Sequence, residues 1–179
     1  MADGTIYQAP AKFGAPELRE LISYHPETGR FLWRVGTNQI KAGDPAGSVA
    51  SDGRLKIKVL GRTYLAHRLA WLYVYGEWPP RLDHEDRNSL NNRIGNLRPA
   101  NRSQNGANQG PHKRNSLRLK GVRKEPRCER WIARIRVRGV LLYLGCFLSP
   151  AAAACAYDAA AIEHFGEYAC VNYAALTLC

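Results

Sequence analysis

RLDHEDRNSLNNRIGNLRPANRSQNGANQ, residues 81–109, holds seven asparagines around a single Asp-His pair, Asp83-His84. RLDH predicts a short strand, the loop EDRNSLNNRIGN follows, and LRPA predicts a second strand. NRSQNGANQ then predicts a helix with Asn101, Asn105 and Asn108 on one face, because they are spaced four and three apart. The stretch therefore predicts a strand–loop–strand–helix unit.

The residue types of this unit suit phosphodiester hydrolysis. If the helix packs back across the strands, one of its asparagines can meet Asp83, and carboxylate and amide oxygens are ligands for Mg²⁺ or Mn²⁺ rather than zinc. His84 points to the other side of the strand and need not bind the ion, so it can take a proton from water near neutral pH. Asn96 can tie the loop together by side-chain hydrogen bonds to backbone, which would fix the histidine ring. The alternative is an asparagine-rich structural loop with a surface histidine.

LDHEDRNSLNNRIGNLRPANRSQN (82–105), with AHRLAWLYVYGEWP (66–79) upstream, resembles the HNH nucleases of phage and intron homing endonucleases. The resemblance runs from about residue 64 to 109 and implies a ββα-metal fold. It implies one divalent ion per site, Mg²⁺ or Mn²⁺. The implied roles are general base for His84, metal ligands for Asp83 and Asn105, and loop clamp for Asn96. Asn105 stands where the family name has histidine, a variant of the homing branch, and Asn108 is the alternative ligand.

Upstream of this unit, residues 1–63 predict a small β-rich region. PETG (26–29) predicts a turn between a short helix and a strand, and residues 55–59 alternate apolar residues with lysines as in a half-buried strand. A helix from His67 ends at Gly76. His67 is expected to be structural or to contact phosphate rather than to act in catalysis.

Downstream, positive charge is concentrated in residues 113–138, which hold eleven Lys or Arg against two acids, a net +9 out of +11 for the chain. This concentration favours a polyanion-binding face over a merely solvated surface. Residues 111–120 predict a basic linker. In WIARIRVRG (131–139) alternate residues are apolar, which predicts a row of guanidinium groups about 7 Å apart on the other face of a strand. The row and its extension on the preceding strand comprise Arg134, Arg136, Arg138, Arg123 and Lys124.

GVRKEP, WIARIRVRG and LLYLGCF predict three strands, and Ser149-Pro150 predicts the start of an alanine-rich helix that ends at Gly166. A ribbon of strands fits the DNA major groove, where arginine grips phosphate or pairs with guanine edges. The basic row therefore predicts a face that binds duplex DNA.

GVR (121–123), WIARI (131–135), YLGCF (143–147), AAxAYDxAA (153–161) and FGEYAxVN (165–172) resemble the DNA-binding domain of plant ethylene-response (APETALA-type) factors. The resemblance implies a three-stranded antiparallel sheet packed on one helix. It implies DNA contacts by Arg123, Arg134, Arg136 and Tyr143. Leu141 stands where the plant proteins tend to have arginine, so their sequence preference is not transferred. Asp158 and Asn172 are expected to stabilise the fold.

Together these patterns predict an α+β protein whose nuclease module (64–110) and DNA-binding domain (121–173) flank the linker, with a tail at 174–179. The expected activity is metal-dependent cleavage of double-stranded DNA by a monomer or weak dimer, without a small-molecule cofactor. No apolar run is long enough to cross a bilayer and the N-terminus lacks a secretory pattern, so a cytoplasmic protein with no membrane partner is expected. The alternatives are a non-catalytic DNA-binding protein with a degenerate nuclease module, and an RNA-binding protein.

Overall fold

The structure, a computed structural model, describes residues 13–37 and 39–173. The predicted tail and the first twelve residues lie outside this part. The described chain is mixed α and β, with four α-helices and several small sheets, and it forms two compact units that divide between Arg98 and Pro99. The predicted α+β class is confirmed. In the described residues, no helix is both long enough and apolar enough to span a membrane.

The first unit is built around one hydrophobic core. Its helices are α1 (Ala15–Leu21) and α2 (Ala66–Tyr75), and its strands are β1 (Ile22–His25), β2 (Arg30–Trp33), β3 (Ser48–Val49), β4 (Leu55–Val59), β5 (Arg62–Leu65), β6 (Leu82–His84) and β7 (Leu97–Pro99), the last crossing into the second unit. β1 pairs with β2, β3–β4–β5 form an antiparallel sheet, and β6 pairs with β7. Leu18, Ile57 and Leu69 are fully buried where α1, the sheet and α2 meet.

One predicted turn joins different elements from those expected. PETG was expected to connect a helix to a strand, but α1 passes directly into β1, and the turn closes an antiparallel β1–β2 hairpin. Ile22 and Tyr24 alternate with more exposed residues, so β1 has the period of a half-buried strand. With four residues and no glycine or proline before it, the strand offers too short a pattern to be separated from the helix by sequence.

The elements around the Asp-His pair form as predicted. β6 and β7 match the two predicted strands, and α2 ends at Gly76 in the left-handed conformation, with φ +80°. The intervening loop adds a 3₁₀ turn at Ile94–Asn96. The helix that follows, α3 (Arg102–Asn108), belongs to the second unit.

The second unit also contains β8 (Val122–Lys124), β9 (Trp131–Val137), β10 (Val140–Phe147) and α4 (Pro150–Phe165). The strands form an antiparallel sheet with β9 in the middle, and α4 packs on it through alanines. The predicted cap is confirmed, because the Ser149 side chain accepts a hydrogen bond from the backbone of Ala152. The three predicted strands and the helix are therefore present.

Two polar features close this unit. The Asp158 carboxylate is fully buried and accepts hydrogen bonds from the backbone of Asn172 and Tyr173 and from the Asn172 side chain, at 2.7–3.0 Å. Asn172 in turn pairs with the backbone of Lys120. The structural role expected of Asp158 and Asn172 is confirmed by this network.

The segment predicted as a linker is packed, since Leu117 and Leu119 lie against the unit's core.

Candidate active site and nucleic-acid interface

His84 ends strand β6 and is half-buried. Its Nε2 lies 3.4 Å from Oδ1 of Asn92. An amide oxygen only accepts hydrogen bonds, so this contact requires the hydrogen to be on Nε2 and leaves Nδ1 as the basic nitrogen. Burial lowers the pKa of His84 below its usual value of 6.5, although the Asn92 contact and the Asp86 and Asp83 carboxylates oppose the shift. At neutral pH the imidazole is therefore mainly the neutral, basic form.

A second histidine lies against the first. The rings of His67 and His84 meet edge to face, with centroids 5.0 Å apart and planes at 81°. His67 is 8% exposed, and burial, reinforced by the charges of His84, Arg54 and Arg68, lowers its pKa to about 3. His67 therefore stays uncharged, and its ring packs against that of His84.

Asn92 was not among the predicted site residues, yet it is the side chain that orients His84. Asn92 is 1% exposed, and its Nδ2 donates to the Leu90 backbone carbonyl at 3.2 Å. The backbone carbonyl of Asn92 accepts a hydrogen bond from the Tyr24 hydroxyl at 2.7 Å. Gly29, with φ +71°, brings the tip of the β1–β2 hairpin so close that a Cβ there would lie 2.7 Å from the Asn92 carbonyl carbon. The hairpin thus fixes the loop from outside.

Asn96 clamps the other end of the loop. Its Nδ2 donates to the Asn91 carbonyl at 2.8 Å and to Asp86 Oδ1 at 2.9 Å, and its Oδ1 accepts from the Asp86 backbone at 3.0 Å. These are the side-chain bonds to backbone expected from the sequence, but none of them reaches the His84 ring. Burial raises the pKa of the Asp86 carboxyl group, but hydrogen bonds from Asn91, Asn88 and Asn96 outweigh it. The pKa of Asp86 is therefore below its usual value. Several of the loop's asparagines therefore serve to hold one carboxylate and the turns around it.

Asp83 is 6% exposed and forms an ion pair that sequence reasoning missed. Both Nε and Nη2 of Arg98, on β7, lie 3.2 Å from the same carboxylate oxygen, Oδ2. A buried carboxylate needs a compensating charge, and Arg98 supplies it in this structure. The available signal was the arginine in Asn96-Leu97-Arg98, on the strand predicted to pair with that of Asp83.

The three asparagines of the predicted helix face have different positions. Asn101 precedes α3 as its N-cap, and its side chain accepts from the backbone of Gln104 at 2.9 Å. Asn105 is half-buried and Asn108 is buried. Asp83 belongs to the first unit and both helical asparagines to the second, so their meeting around a metal stays a prediction. Among the described residues, no three His, Cys, Asp or Glu side chains group as a metal cluster, so a metal site here would need amide ligands such as those of Asn105 or Asn108.

The predicted DNA-binding residues divide between two faces of the C-terminal sheet. In an antiparallel pair, residues opposite each other share a face, and Arg134 is opposite Tyr143, Arg136 opposite Leu141 and Arg123 opposite Ile132. We call this face, formed by Arg123, Arg134, Arg136, Leu141 and Tyr143, the outer face, because α4 covers the other one.

The last two predicted residues lie off this face. Lys124 is opposite Trp131, which places it on the α4 side, where its Nζ pairs with Glu129 at 2.8 Å. Arg138 has φ +49° and forms the β9–β10 turn with Gly139. The roles of all six residues in DNA binding stay predictions.

Comparison with known proteins agrees with both halves of this description. Residues 64–107 match the family model of HNH endonucleases. The chain is also 34% identical, over 106 residues, to dehydration-responsive element-binding protein 1I of Oryza sativa subsp. japonica. That match covers 56% of this chain and 42% of the rice protein. The segment containing His84 and Asn92 is therefore similar to HNH endonucleases, and the chain has a more distant similarity to a protein named for binding a DNA element.

Proposed function

We propose that the protein is a metal-dependent DNA endonuclease of the HNH type, with a nuclease module that cuts or nicks and a C-terminal domain that binds duplex DNA. The observation that supports this most is the state of His84. It is a neutral, half-buried imidazole oriented by Asn92, beside Asp83, within the segment similar to HNH endonucleases. A general base needs a neutral imidazole at the working pH and a ring held in place, and the lowered pKa of His84 and its contact with Asn92 support both.

The donor set suits a hard divalent cation. The Asp83 carboxylate and the Asn105 amide oxygen, with Asn108 as the alternative to Asn105, would hold one Mg²⁺ or Mn²⁺ in a ββα-metal arrangement. When bound, the ion would stabilise negative charge on the phosphate and the leaving oxygen. Arg98 holds the Asp83 carboxylate in place and balances its charge inside the protein.

The remaining steps belong to the chain's own residues. Nδ1 of His84 takes the proton from the attacking water, while Asn92 holds Nε2 and so fixes which nitrogen is basic. Asn96 holds the loop that follows His84, and the outer face of the C-terminal sheet grips the DNA backbone. A homing role for a phage or intron element is consistent with the family resemblance and is part of this proposal.

Plasmid relaxation tests the activity directly. Supercoiled plasmid is incubated with the wild type and Mg²⁺, Mn²⁺ or EDTA, and with His84→Ala and His25→Ala in Mg²⁺. His25 is an exposed histidine at the end of β1 and serves as the matched control. We expect relaxed circles from the wild type and from His25→Ala, and intact plasmid with EDTA or with His84→Ala. Linear product would indicate paired sites or successive nicks.

A non-catalytic DNA-binding protein is the second candidate. It is favoured by the ion pair that already occupies Asp83 Oδ2 and by an asparagine, Asn105, at the position for which the family has histidine. Intact plasmid in both Mg²⁺ and Mn²⁺, on DNA that the protein demonstrably binds, would favour this candidate over the nuclease.

A further inference from the structure

A cavity of 930 Å³ lies in the second unit, between helix α3 and one edge of strand β9. β8 pairs with β9 only over Trp131–Ala133, and the part of β9 that lines the cavity begins at Arg134. The cavity therefore occupies the space beside β9 that a longer β8 would have filled. Its size is within the range of sites that hold small ligands.

All the charged residues that line the cavity are positive. The described residues that line the cavity include no acid and five cations, which are Arg102, Lys120, Arg134, Arg136 and Arg138. The remaining wall is largely apolar, with Ala107, Ile135 and Tyr157 all buried. A low-polarity wall strengthens the field of nearby cations, so the cavity attracts an anion more strongly than a solvated surface would.

Hydrogen bonds join helix α3 to residues on the other side of the cavity. Ser103, on α3, accepts a hydrogen bond from the Arg138 backbone at 3.2 Å, and Lys120 donates to the carbonyls of Gly106 and Ala107 in the last turn of α3. These hydrogen bonds therefore link helix α3 to the sheet within the second unit.

Arg134 is the residue whose hydrogen bonding is incomplete. Its Nε is buried from solvent and has no hydrogen-bond partner among the described residues. A buried guanidinium donor without an acceptor is costly, so an acceptor such as an anion or an ordered water is expected beside it. Arg102, Arg136 and Arg138 are exposed at the same cavity, which gives a ligand a route of entry.

We propose that this cavity binds a phosphate group, held by Arg134 on β9 and by Arg102 on α3. Arginine forks match phosphate oxygens, and the two residues come from opposite walls, so a phosphate would bridge them. The group could come from a DNA backbone, in which case the inference rests on the proposed DNA binding, or from a free phosphate compound. The cavity shares Arg134 and Arg136 with the outer face, whereas Arg123 and Tyr143 do not line it, so Arg102 is the cation that separates the cavity from that face.

Two measurements test the site with the full chain, using Arg102→Gln, Arg134→Gln and the control Arg127→Gln. Arg127 is exposed in the same unit and does not line the cavity, so its variant removes one charge without touching the site. The first measurement is the affinity for duplex DNA at salt concentrations from about 50 to about 300 mM, with EDTA present so that the DNA is not cut. The second is calorimetric titration with inorganic phosphate at constant ionic strength without DNA. Urea unfolding midpoints establish that each variant is folded.

If the cavity binds a DNA phosphate, each cavity variant should bind DNA about tenfold more weakly. The slope of log affinity against log salt should become less steep by about 0.9, with a smaller change in the control. For a free phosphate compound, the wild type and the control should give saturable heat that both cavity variants lose. Equal salt slopes in all three variants together with no phosphate heat would overturn the site. If the wild type binds no DNA, the proposed function fails, and the phosphate titration decides the cavity independently.

Discussion

The loop between β6 and β7 and the outer face of the C-terminal sheet use polar side chains in opposite ways. In the loop, Asn92 and Asn96 are short residues whose amides each make two or more contacts inside the protein. On the outer face, Arg136 and Tyr143 are long and exposed, and the Arg123–Glu125 pair is loose, at 3.6 Å. Short, fully bonded side chains fix a position, whereas long exposed ones can follow a partner's surface. The comparison predicts that substitutions in the two regions separate cutting from binding.

The largest effect should come from His84→Ala. Loss of a general base typically lowers the rate of the chemical step by about 10²–10⁴-fold. DNA affinity should stay within about twofold of the wild type, since the change leaves untouched the outer face, which we propose supplies the salt-dependent contacts. Single-turnover cleavage of labelled duplex, with affinity measured in parallel by fluorescence anisotropy, checks both values. Equal loss of binding and cutting would make His84 a structural residue and would remove the contrast between the regions.

Asn92→Ala should have the next largest effect on cutting. The ring of His84 loses its contact with Asn92, and we expect a rate about 10–100-fold lower, as for the loss of one orienting hydrogen bond to a catalytic group. Burial lowers the pKa of His84 and the contact with Asn92 raises it. Loss of that contact should therefore lower the pKa of His84 further. The acid limb of the rate profile, where activity rises as His84 loses its proton, should therefore move to lower pH.

The control for this change is Asn88→Ala in the same loop, because Asn88 is exposed and its contacts are with Asp86 and Leu90 rather than with His84. Rates measured from pH 5 to 8 (about the range in which histidine titrates) give both the amplitude and the position of the limb. A limb that moves to higher pH in Asn92→Ala would contradict the assigned contact.

Much of this arrangement was predictable from the sequence, and the misses have a common cause. β6, β7, α2 and the C-terminal strands follow from period, caps and turn residues, which are local signals. Asn92 and Tyr24 are 68 residues apart, and their hydrogen bond depends on the hairpin β1–β2, which was itself not predicted. With seven asparagines in one stretch, composition cannot identify the one that contacts His84, because that depends on the loop's path between the two strands.

The local sequence pattern also could not predict which of the basic residues share the outer face. Alternation within β9 correctly groups Arg134 with Arg136, but the register between β8 and β9 decides which of Arg123 and Lys124 joins them. Register is a property of the pair of strands, and a shift of one residue exchanges the two faces. The Asp83–Arg98 pair was missed for the same reason, because it joins two neighbouring strands.

On the binding side, Arg123→Gln combined with Tyr143→Ala should weaken DNA affinity by about tenfold or more at physiological salt, since each change removes one of the contacts to the DNA backbone that we propose. Cleavage at saturating protein should keep its wild-type rate. Lys124→Gln is the matched control, because that lysine is on the α4 side and already pairs with Glu129. A control that weakens binding as much as the double variant would show that net charge, not the outer face, determines affinity.

The smallest expected effect, from Tyr24→Phe, examines how far the first region depends on the rest of its unit. The change removes only the hydroxyl that donates to the Asn92 carbonyl, and burial of that carbonyl makes the lost bond cost about 1 kcal/mol in the free energy of unfolding. Burial also raises the pKa of Tyr24, so the hydroxyl is a donor at every working pH and the loss should not vary with pH. Because the Asn92 side chain keeps its contact with His84, cleavage should fall only severalfold, by less than in Asn92→Ala. Tyr75→Phe, at an exposed tyrosine, is the control for both measurements. If Tyr24→Phe instead slowed cleavage as much as Asn92→Ala without changing stability, the hairpin would act on the position of His84 directly, and the site would extend into the N-terminal part of the chain.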